Sequence, residues 1–270
     1  MTEKFSVLMS VYSKESPQFL DNSIQSIWSA QKLKPSQIVL VQDGQLGKPI
    51  LDVIEKWKRL IGPSFLTVEL KNNVGLAKAL NSGLKFCNYD LIARMDTDDI
   101  ALPERFEEQV KLMTQNPEVT VSSAFIEEWD NTLSSLIGTR TLPYSHLEII
   151  KFAKTRSPIN HPCAIFRKSK IEAYGGYPEI YPEDYALWGT LLNKGEIFKN
   201  IPKVLLKMRA GDAITQRRGY KFLKGEVKIF IYFEKIGFIN KLELLFNIIT
   251  RSIIRLSPNY IKKILYKTLR

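Results

Sequence analysis

"LIARMDTDDI", residues Leu91 to Ile100, decides how the rest of the chain is read. An apolar run with the composition of a buried strand leads directly into three carboxylates, Asp96, Asp98 and Asp99. Like charges gathered at a strand end are unfavourable unless a cation neutralises them, and hard oxygen donors of this kind select magnesium or manganese. A metal held by only one or two carboxylates keeps positions open for phosphate oxygens. A local alternative exists: "DDIALPERFEEQV" begins a helix, and aspartate is favoured at helix N-termini. The residues upstream weigh against that alternative standing alone.

Working back from Leu91, short apolar runs alternate with longer segments of helical spacing. "FSVLMSVY" reads as a strand, "SPQFLDNSIQSIWSAQ" as a helix with Phe19, Leu20, Ile24, Ile27 and Trp28 on one face, and "SQIVLVQDG" as a second strand ending in a turn. "KPILDVIEKWKRLI" then reads as helix, "FLTVEL" as strand, "NVGLAKALNSGLKFC" as helix and "YDLIARMD" as strand. This βαβαβαβ order predicts an α/β fold with a mainly parallel sheet and helices on both faces. Ligands of such sheets bind at the carboxyl ends of the strands. The polar clusters fall there: Ser10 to Ser13, Asp43-Gly44, Asn72-Asn73, and Asp96 to Asp99.

The composition, 270 residues with 44% hydrophobic and 25% charged, is that of a globular chain able to bury a sizeable core. Cys87 and Cys163 form neither a disulfide framework nor a metal-ligand spacing, and suit a reducing cytosol as buried thiols. The segment "MTEKFSVLMSVY" does not resemble a secretory signal, so a cytoplasmic location is expected. The net charge of +11 is unevenly placed: Lys199 to Arg270 holds seventeen Lys and Arg against four Asp and Glu, whereas the preceding residues hold twenty-two against twenty-four. In that basic tail, "IFIYFEKIGFINKLELLFNIITRSIIRL" is too often interrupted by charge to span a bilayer. Leu245, Ile248, Ile249, Ile253 and Leu256 fall on one side of a helix, with Arg251 and Arg255 one turn apart. Two readings follow: the helix lies on an anionic lipid surface, or it packs on its own domain and leaves a solvated basic face. No module or glycine-aromatic signature supports a nucleic-acid partner.

"SVLMSVYSKE", "IVLVQDG", "NNVGLAKALNSGL", "ARMDTDDIALPERFEEQV", "INHPCAIFRKSKIEAYGGY" and "YPEDYALWGTLLNKG" together resemble glycosyltransferase family 2 on the GT-A fold, over roughly residues 5 to 210. The resemblance is to the small, non-processive bacterial enzymes of O-antigen, capsule or exopolysaccharide synthesis. It implies a GT-A domain over 1–210, with its nucleotide-sugar half in about 1–100 and its acceptor half in about 101–210, followed by a basic helical membrane-associating tail over 211–270. It also implies a UDP-sugar donor and a divalent cation, Mn2+ or Mg2+.

Residue by residue, the resemblance places Ser10, Val11 and Tyr12 beside the uracil and ribose and Asp43 as acceptor of the uracil imide N–H. An ionised carboxylate is acceptor-only, which suits a base edge offering a donor. Asp96 would lie near the ribose and Asp98 on the metal within the "DTD" motif that includes Thr97. Gly75 would let the nucleotide approach, and Lys78 would face the diphosphate or stand as an exposed helix lysine. Pro182 and the acids after it open a helix, putting Asp184 where a helix N-terminus favours the charged form of a base. By the family pattern Asp184 deprotonates the acceptor hydroxyl, with Glu183 its nearest competitor, and an α-linked donor gives a β-linked product. His161 would contact the acceptor or the diphosphate, or serve structurally. Arg217 and Arg218 in "ITQRRGY" would close over the diphosphate. This segment lacks the tryptophan of the processive Gln-x-x-Arg-Trp motif, which favours single-sugar addition, and Ala186 stands where many relatives have a further acid.

The donor expected is UDP-galactose or UDP-glucose, and the acceptor a polyprenyl-diphosphate-linked sugar such as N-acetylglucosamine at the inner face of a bacterial cytoplasmic membrane. Two other classes remain: a nucleotidyltransferase, whose glycine-rich N-terminal phosphate loop is not seen here, and a non-catalytic membrane-surface module. Release of free UDP from a UDP-sugar separates transfer from both.

Overall fold

The computed structural model describes residues 3–211 and 220–257. Its centre is a seven-stranded sheet. Strands β1 (Phe5–Val11), β2 (Gln37–Asp43), β3 (Phe65–Leu70) and β4 (Leu91–Arg94) form a parallel block, with β1 between β2 and β4. Every residue of β2 and β4 is buried, so these strands read as continuous apolar runs rather than as alternating ones. Helices α1 (Pro17–Trp28), α2 (Lys48–Ile61) and α3 (Leu76–Leu84) make the crossovers. Ser16 caps α1, its hydroxyl accepting from the Phe19 N–H at 3.4 Å, and Pro17 occupies the first turn, where no N–H is missed.

The sheet departs from the expected pattern beyond β4. Strand β9 (Ile165–Arg167) enters antiparallel between β4 and β6 (Val119–Ser122), and the two-residue β10 (Ile197–Phe198) pairs parallel with β6. A second, four-stranded sheet joins β5 (Ile100–Ala101), β11 (Ile201–Arg209), β7 (Ala124–Trp129) and β8 (Leu136–Arg140). Its pairing brings the end of β11 back beside the residues that follow β4. Helices α4 (Arg105–Gln115), α5 (His146–Ala153), α6 (Lys168–Ala173) and α7 (Glu183–Asn193) complete this half. Cys87 and Cys163 are free, buried thiols.

The C-terminal helices α8 (Tyr220–Lys235) and α9 (Lys241–Leu256) extend this core. Ile229, Phe230 and Phe233 of α8 are fully buried in one cluster with Tyr185, Trp188 and Leu192 of α7. The Phe233 and Tyr185 rings meet edge to face at 5.1 Å. Gly189 permits this approach, because a Cβ there would stand 2.1 Å from the Phe233 ring. Asn240 caps α9 in a reciprocal capping box with Glu243, and Lys154 holds Glu243 at 2.7 Å.

The orientation of α9 corrects the reading that leaves a solvated basic face, and the part of the lipid reading that turns Arg251 and Arg255 toward the leaflet. Arg251 and Arg255 turn inward: Arg255 is 6% exposed and grips Glu226 of α8 through two 2.8 Å contacts, while Arg251 donates to the Thr155 carbonyl. The apolar side points outward instead, with Leu242 79%, Leu245 56%, Phe246 62%, Ile249 49% and Ile253 61% exposed. Paired charges and a carbonyl hold the two arginines, so among the described residues Arg251 and Arg255 form no solvated basic face. The side chain of Leu256 lies outside the described residues. Among the described residues no helix is long and apolar enough to cross a membrane.

Gly189→Ala should cost about 1–3 kcal/mol by overpacking. Denaturant unfolding followed at equilibrium checks this, and an unchanged midpoint would show that α8 yields without cost.

Candidate active site

The loops at the carboxyl ends of β1 to β4 enclose a cleft of about 610 Å³ lined by Ser10, Tyr12, Asp43, Gly75, Asp96, Thr97 and Asp98. Seven of the expected nucleotide residues are thus brought together. Val11 and Lys78 are not in this lining: Val11 is wholly buried in the core, and Lys78 forms an ion pair with Glu179 at 3.1 Å. Arg217 and Arg218 lie outside the described residues.

Asp43 is fixed by main chain. Its Oδ1 accepts from the Val74 N–H at 2.7 Å and its Oδ2 from the Gly75 N–H at 3.1 Å. Gly44 makes this possible: its φ is +89°, and a Cβ there would press within 2.7 Å of the Asn73 nitrogen. Each carboxylate oxygen has a second lone pair, so one edge of Asp43 can still accept from a ligand.

At the cleft floor, one ligand oxygen from each of Asp96, Asp98 and Asp99 lies within 4.8 Å of the others. Asp96 forms an ion pair with Arg94, which is itself buried beneath the cleft. Burial, then the charges of Asp96 and Glu15, push Asp98 up to about 7. Burial with the charges of Asp98 and Asp96 holds Asp99 well above the usual carboxylate range. Asp99 accepts the Arg209 N–H at 3.0 Å through Oδ1, while its Oδ2 is buried without a hydrogen-bond partner among the described residues. Crowded oxygens, one of them unsatisfied, fit a divalent cation.

Three residues of this site escaped the sequence reading. Glu15 accepts from Thr97 Oγ1 at 2.7 Å, and Arg209, at the end of β11, donates its Nη1 to the Asp98 carbonyl and stacks 4.2 Å over Phe19. Arg94 is the third, and a cation inside the apolar run "LIARMD" was a visible signal for it.

A larger cavity of about 1100 Å³ adjoins the first at Leu76 and Asp96 and contains Glu183, Asp184, His161 and Arg140. His161 Nε2 lies 3.0 Å from the Tyr177 hydroxyl. Burial and the Arg94 charge keep this imidazole well below its usual pKa, so it is neutral. Asp184 lies in the first turn of α7. The helix start does assist the ionised form, with the Tyr185 N–H bonding to it and the charges of Arg140 and Arg94 acting in the same sense, yet burial outweighs them and the pKa is raised. Burial, followed by the charge of Asp184, lifts Glu183 to about 7. Raised carboxylates are better proton acceptors near neutral pH.

Without metal, folded Asp98 keeps its proton up to about pH 7, whereas in the unfolded chain it loses it near 3.8. The folded state therefore binds more protons in that window, and its stability should fall as pH rises from about 4 to 7. Manganese should relieve the repulsion, raising the melting temperature more at pH 8 than at pH 5, and Asp98→Asn should remove most of that difference. Equal manganese shifts at both pH values in thermal melts would refute competition between the metal and the Asp98 proton, and no shift at either would refute metal binding here.

The family model for glycosyl transferase family 2 matches residues 6–175. The chain is 40% identical over 268 residues to an amylovoran biosynthesis glycosyltransferase of Erwinia amylovora, covering 97% of this chain and 98% of the relative. It is 38% identical over 268 residues to an Escherichia coli UDP-Gal:alpha-D-GlcNAc-diphosphoundecaprenol beta-1,3-galactosyltransferase, covering 98% and 96%. Among solved structures, S. aureus TarS 1-349 in complex with UDP-GlcNAc superposes with a TM-score of 0.67 at 17% identity, covering 93% of this chain and 72% of that one. A Pyrobaculum calidifontis mannosyltransferase in complex with GDP-Man and Mn2+ gives 0.64 at 14% identity, covering 100% and 80%. The fold is GT-A, and the chain belongs to glycosyl transferase family 2.

Proposed function

We propose that this chain is an inverting, non-processive transferase that moves a hexose from a UDP-sugar to a polyprenyl-diphosphate-linked sugar during repeat-unit assembly of a bacterial surface polysaccharide. The observation that carries this is the meeting of two clefts at Asp96, one floored by the carboxylate triad and the other holding Glu183 and Asp184. UDP-galactose is favoured over UDP-glucose, and N-acetylglucosamine as acceptor sugar, by the activity named for the Escherichia coli relative. Family membership argues against both a nucleotidyltransferase and a non-catalytic module.

In this reading Ser10, Tyr12, Asp43 and Gly75 bind the nucleoside. Asp98, with Asp96 and Asp99, would hold Mn2+ or Mg2+, whose bound charge stabilises the departing diphosphate. Asp184 takes the proton of the acceptor hydroxyl as its oxygen bonds to the anomeric carbon. The bond from that carbon to the UDP oxygen breaks on the opposite face, so an α-linked donor yields a β-linkage. Burial and the charge of Asp184 lift Glu183 to about 7, so of the two it is Glu183 that keeps a proton near neutrality. Residues 1–210 are read as the transferase unit and α8 with α9 as the layer that meets the membrane.

Radiolabelled UDP-galactose and UDP-glucose, each given with N-acetylglucosamine diphosphate carried on a short alkyl chain, test the function, and proton NMR of the product gives the anomeric configuration. Asp184→Asn should lower kcat by at least about 10²-fold, as for a lost general base, with UDP affinity by calorimetry near that of the wild type. Wild-type turnover in this variant would move the role to Glu183.

The outward apolar side of α9 is read as a lipid-facing surface on an anionic leaflet. Flotation with anionic vesicles tests this: Phe246→Glu with Ile249→Glu should leave the protein unbound while UDP binding persists. Flotation equal to wild type would assign that face to something other than lipid.

A further inference from the structure

The cavity holding Glu183 and Asp184 also contains a neutral imidazole whose orientation is fixed by a chain of contacts. His161 stands on a short 3₁₀ turn, His161–Cys163, is 9% exposed and lines that cavity. Its ring meets the Trp188 ring edge to face at 6.1 Å, and its Nε2 lies 3.0 Å from the Tyr177 hydroxyl. Tyr177 is held in turn through its main chain: its N–H donates to Asn81 Oδ1 at 2.7 Å, and its carbonyl accepts from Asn81 Nδ2 at 2.8 Å. Gly176 leaves room for this clamp, because a Cβ there would stand 2.4 Å from Asn81 Oδ1. Asn81 belongs to α3, whose first residue, Leu76, borders both clefts. The imidazole is thus tied through two residues to the helix that starts where the clefts meet.

Counting hydrogens decides what this ring offers a ligand. Tyr177 is buried, and burial keeps its phenol protonated far above the usual range. Among the described residues its hydroxyl meets no acceptor other than Nε2 of His161. A buried donor left without an acceptor forfeits its hydration for nothing, so the Tyr177 O–H donates to Nε2. A neutral imidazole carries one proton, which then resides on Nδ1. Nδ1 takes no partner among the described residues and is not sealed from solvent, so its N–H opens onto the cavity that His161 lines. An uncharged donor adds nothing for a diphosphate and suits an uncharged oxygen. Ile159 and Pro162 line the same cavity on either side of His161 in sequence, giving the donor an apolar frame. An acetamido group matches both features: its carbonyl oxygen accepts the proton and its methyl meets carbon. A hydroxyl in the same place supplies no methyl and brings a donor of its own.

We propose that His161 recognises the acetamido group of the acceptor sugar, its Nδ1–H donating to the carbonyl oxygen, with Tyr177 and Asn81 as positioning residues that fix the ring. This rests on the acceptor class proposed above and makes the acetamido group the feature by which that acceptor is selected.

The chain has two histidines, so nitrogen-15 NMR resolves the His161 ring in the full-length protein. At pH 7 the free protein should carry the proton on Nδ1, and Tyr177→Phe should lose that preference. N-acetylglucosamine diphosphate on a short alkyl chain should shift the Nδ1–H signal, and by calorimetry it should bind about tenfold tighter than its glucose counterpart, the scale of one hydrogen bond. His161→Ala should bring the two affinities together, with part of the difference regained in His161→Asn, whose amide nitrogen takes the place of Nδ1. Should His161→Ala fail to fold in a thermal melt, the wild-type tautomer and the comparison of the two ligands decide alone. A proton on Nε2, equal affinity of wild type for both ligands, or an undiminished difference in folded His161→Ala would overturn the contact, and an unchanged tautomer in Tyr177→Phe would remove the role of Tyr177. Transfer to diphosphate-linked sugars without acetamido preference removes this contact and leaves the proposed function standing. Acetamido-selective binding without any transfer supports the contact and removes the proposed reaction.

Discussion

Asp96, Asp98 and Asp99 repel one another within 4.8 Å, and much of the fold is arranged to make that tolerable. Arg94 lies under the cluster at the end of β4, where a strand buried on both faces ordinarily excludes a cation, and it is balanced there by Asp96. On the other side, β11 ends at Arg209, whose main-chain N–H reaches Asp99. That contact exists only because β11 pairs with both β5 and β7, so the second sheet serves as the lateral support of the cluster. Removing Asp96 would leave the buried Arg94 guanidinium without its ion-pair partner. The geometry of the carboxylates is therefore tied to the stability of both sheets.

The first four strands and their helices were legible because their signals are local. Runs such as "IVLVQDG" combine a buried strand with a turn inside a few residues, and parallel order follows from the helices between them. Their ends, Asp43 and Asp96, were legible for the same reason. The antiparallel β9 and the two-residue β5 and β10 were not, since pairings so short are decided by partners more than forty residues away. Glu15 and Arg209 belong to the same class: each reaches the cleft through a contact with a sequence-distant residue, Thr97 in one case and Asp98 and Asp99 in the other.

The C-terminal helix shows a different limit. Periodicity in "KLELLFNIITRSIIRL" established two faces, but not which would turn inward. Glu226, in the preceding helix, decides it by drawing Arg255 to the interior. The surroundings of Asp184 show a related limit. Its place at the head of α7 was visible, but the depth of the cavity around it was not, and burial outweighs the helix terminus.

The contact between Gly189 and Phe233 joins parts of the molecule that a domain diagram would separate. Gly189 lies less than two turns along the helix that starts with Glu183 and Asp184, and Phe233 is on the helix whose Glu226 anchors α9. Asp184 and the outward apolar side are thus mounted on elements in direct mechanical register. In consequence the C-terminal helices cannot be exchanged between relatives as an independent anchor. A donor segment with a different ring at position 233 would need a matching residue at position 189, and a graft that ignores that pair would tilt the helix that carries Glu183 and Asp184.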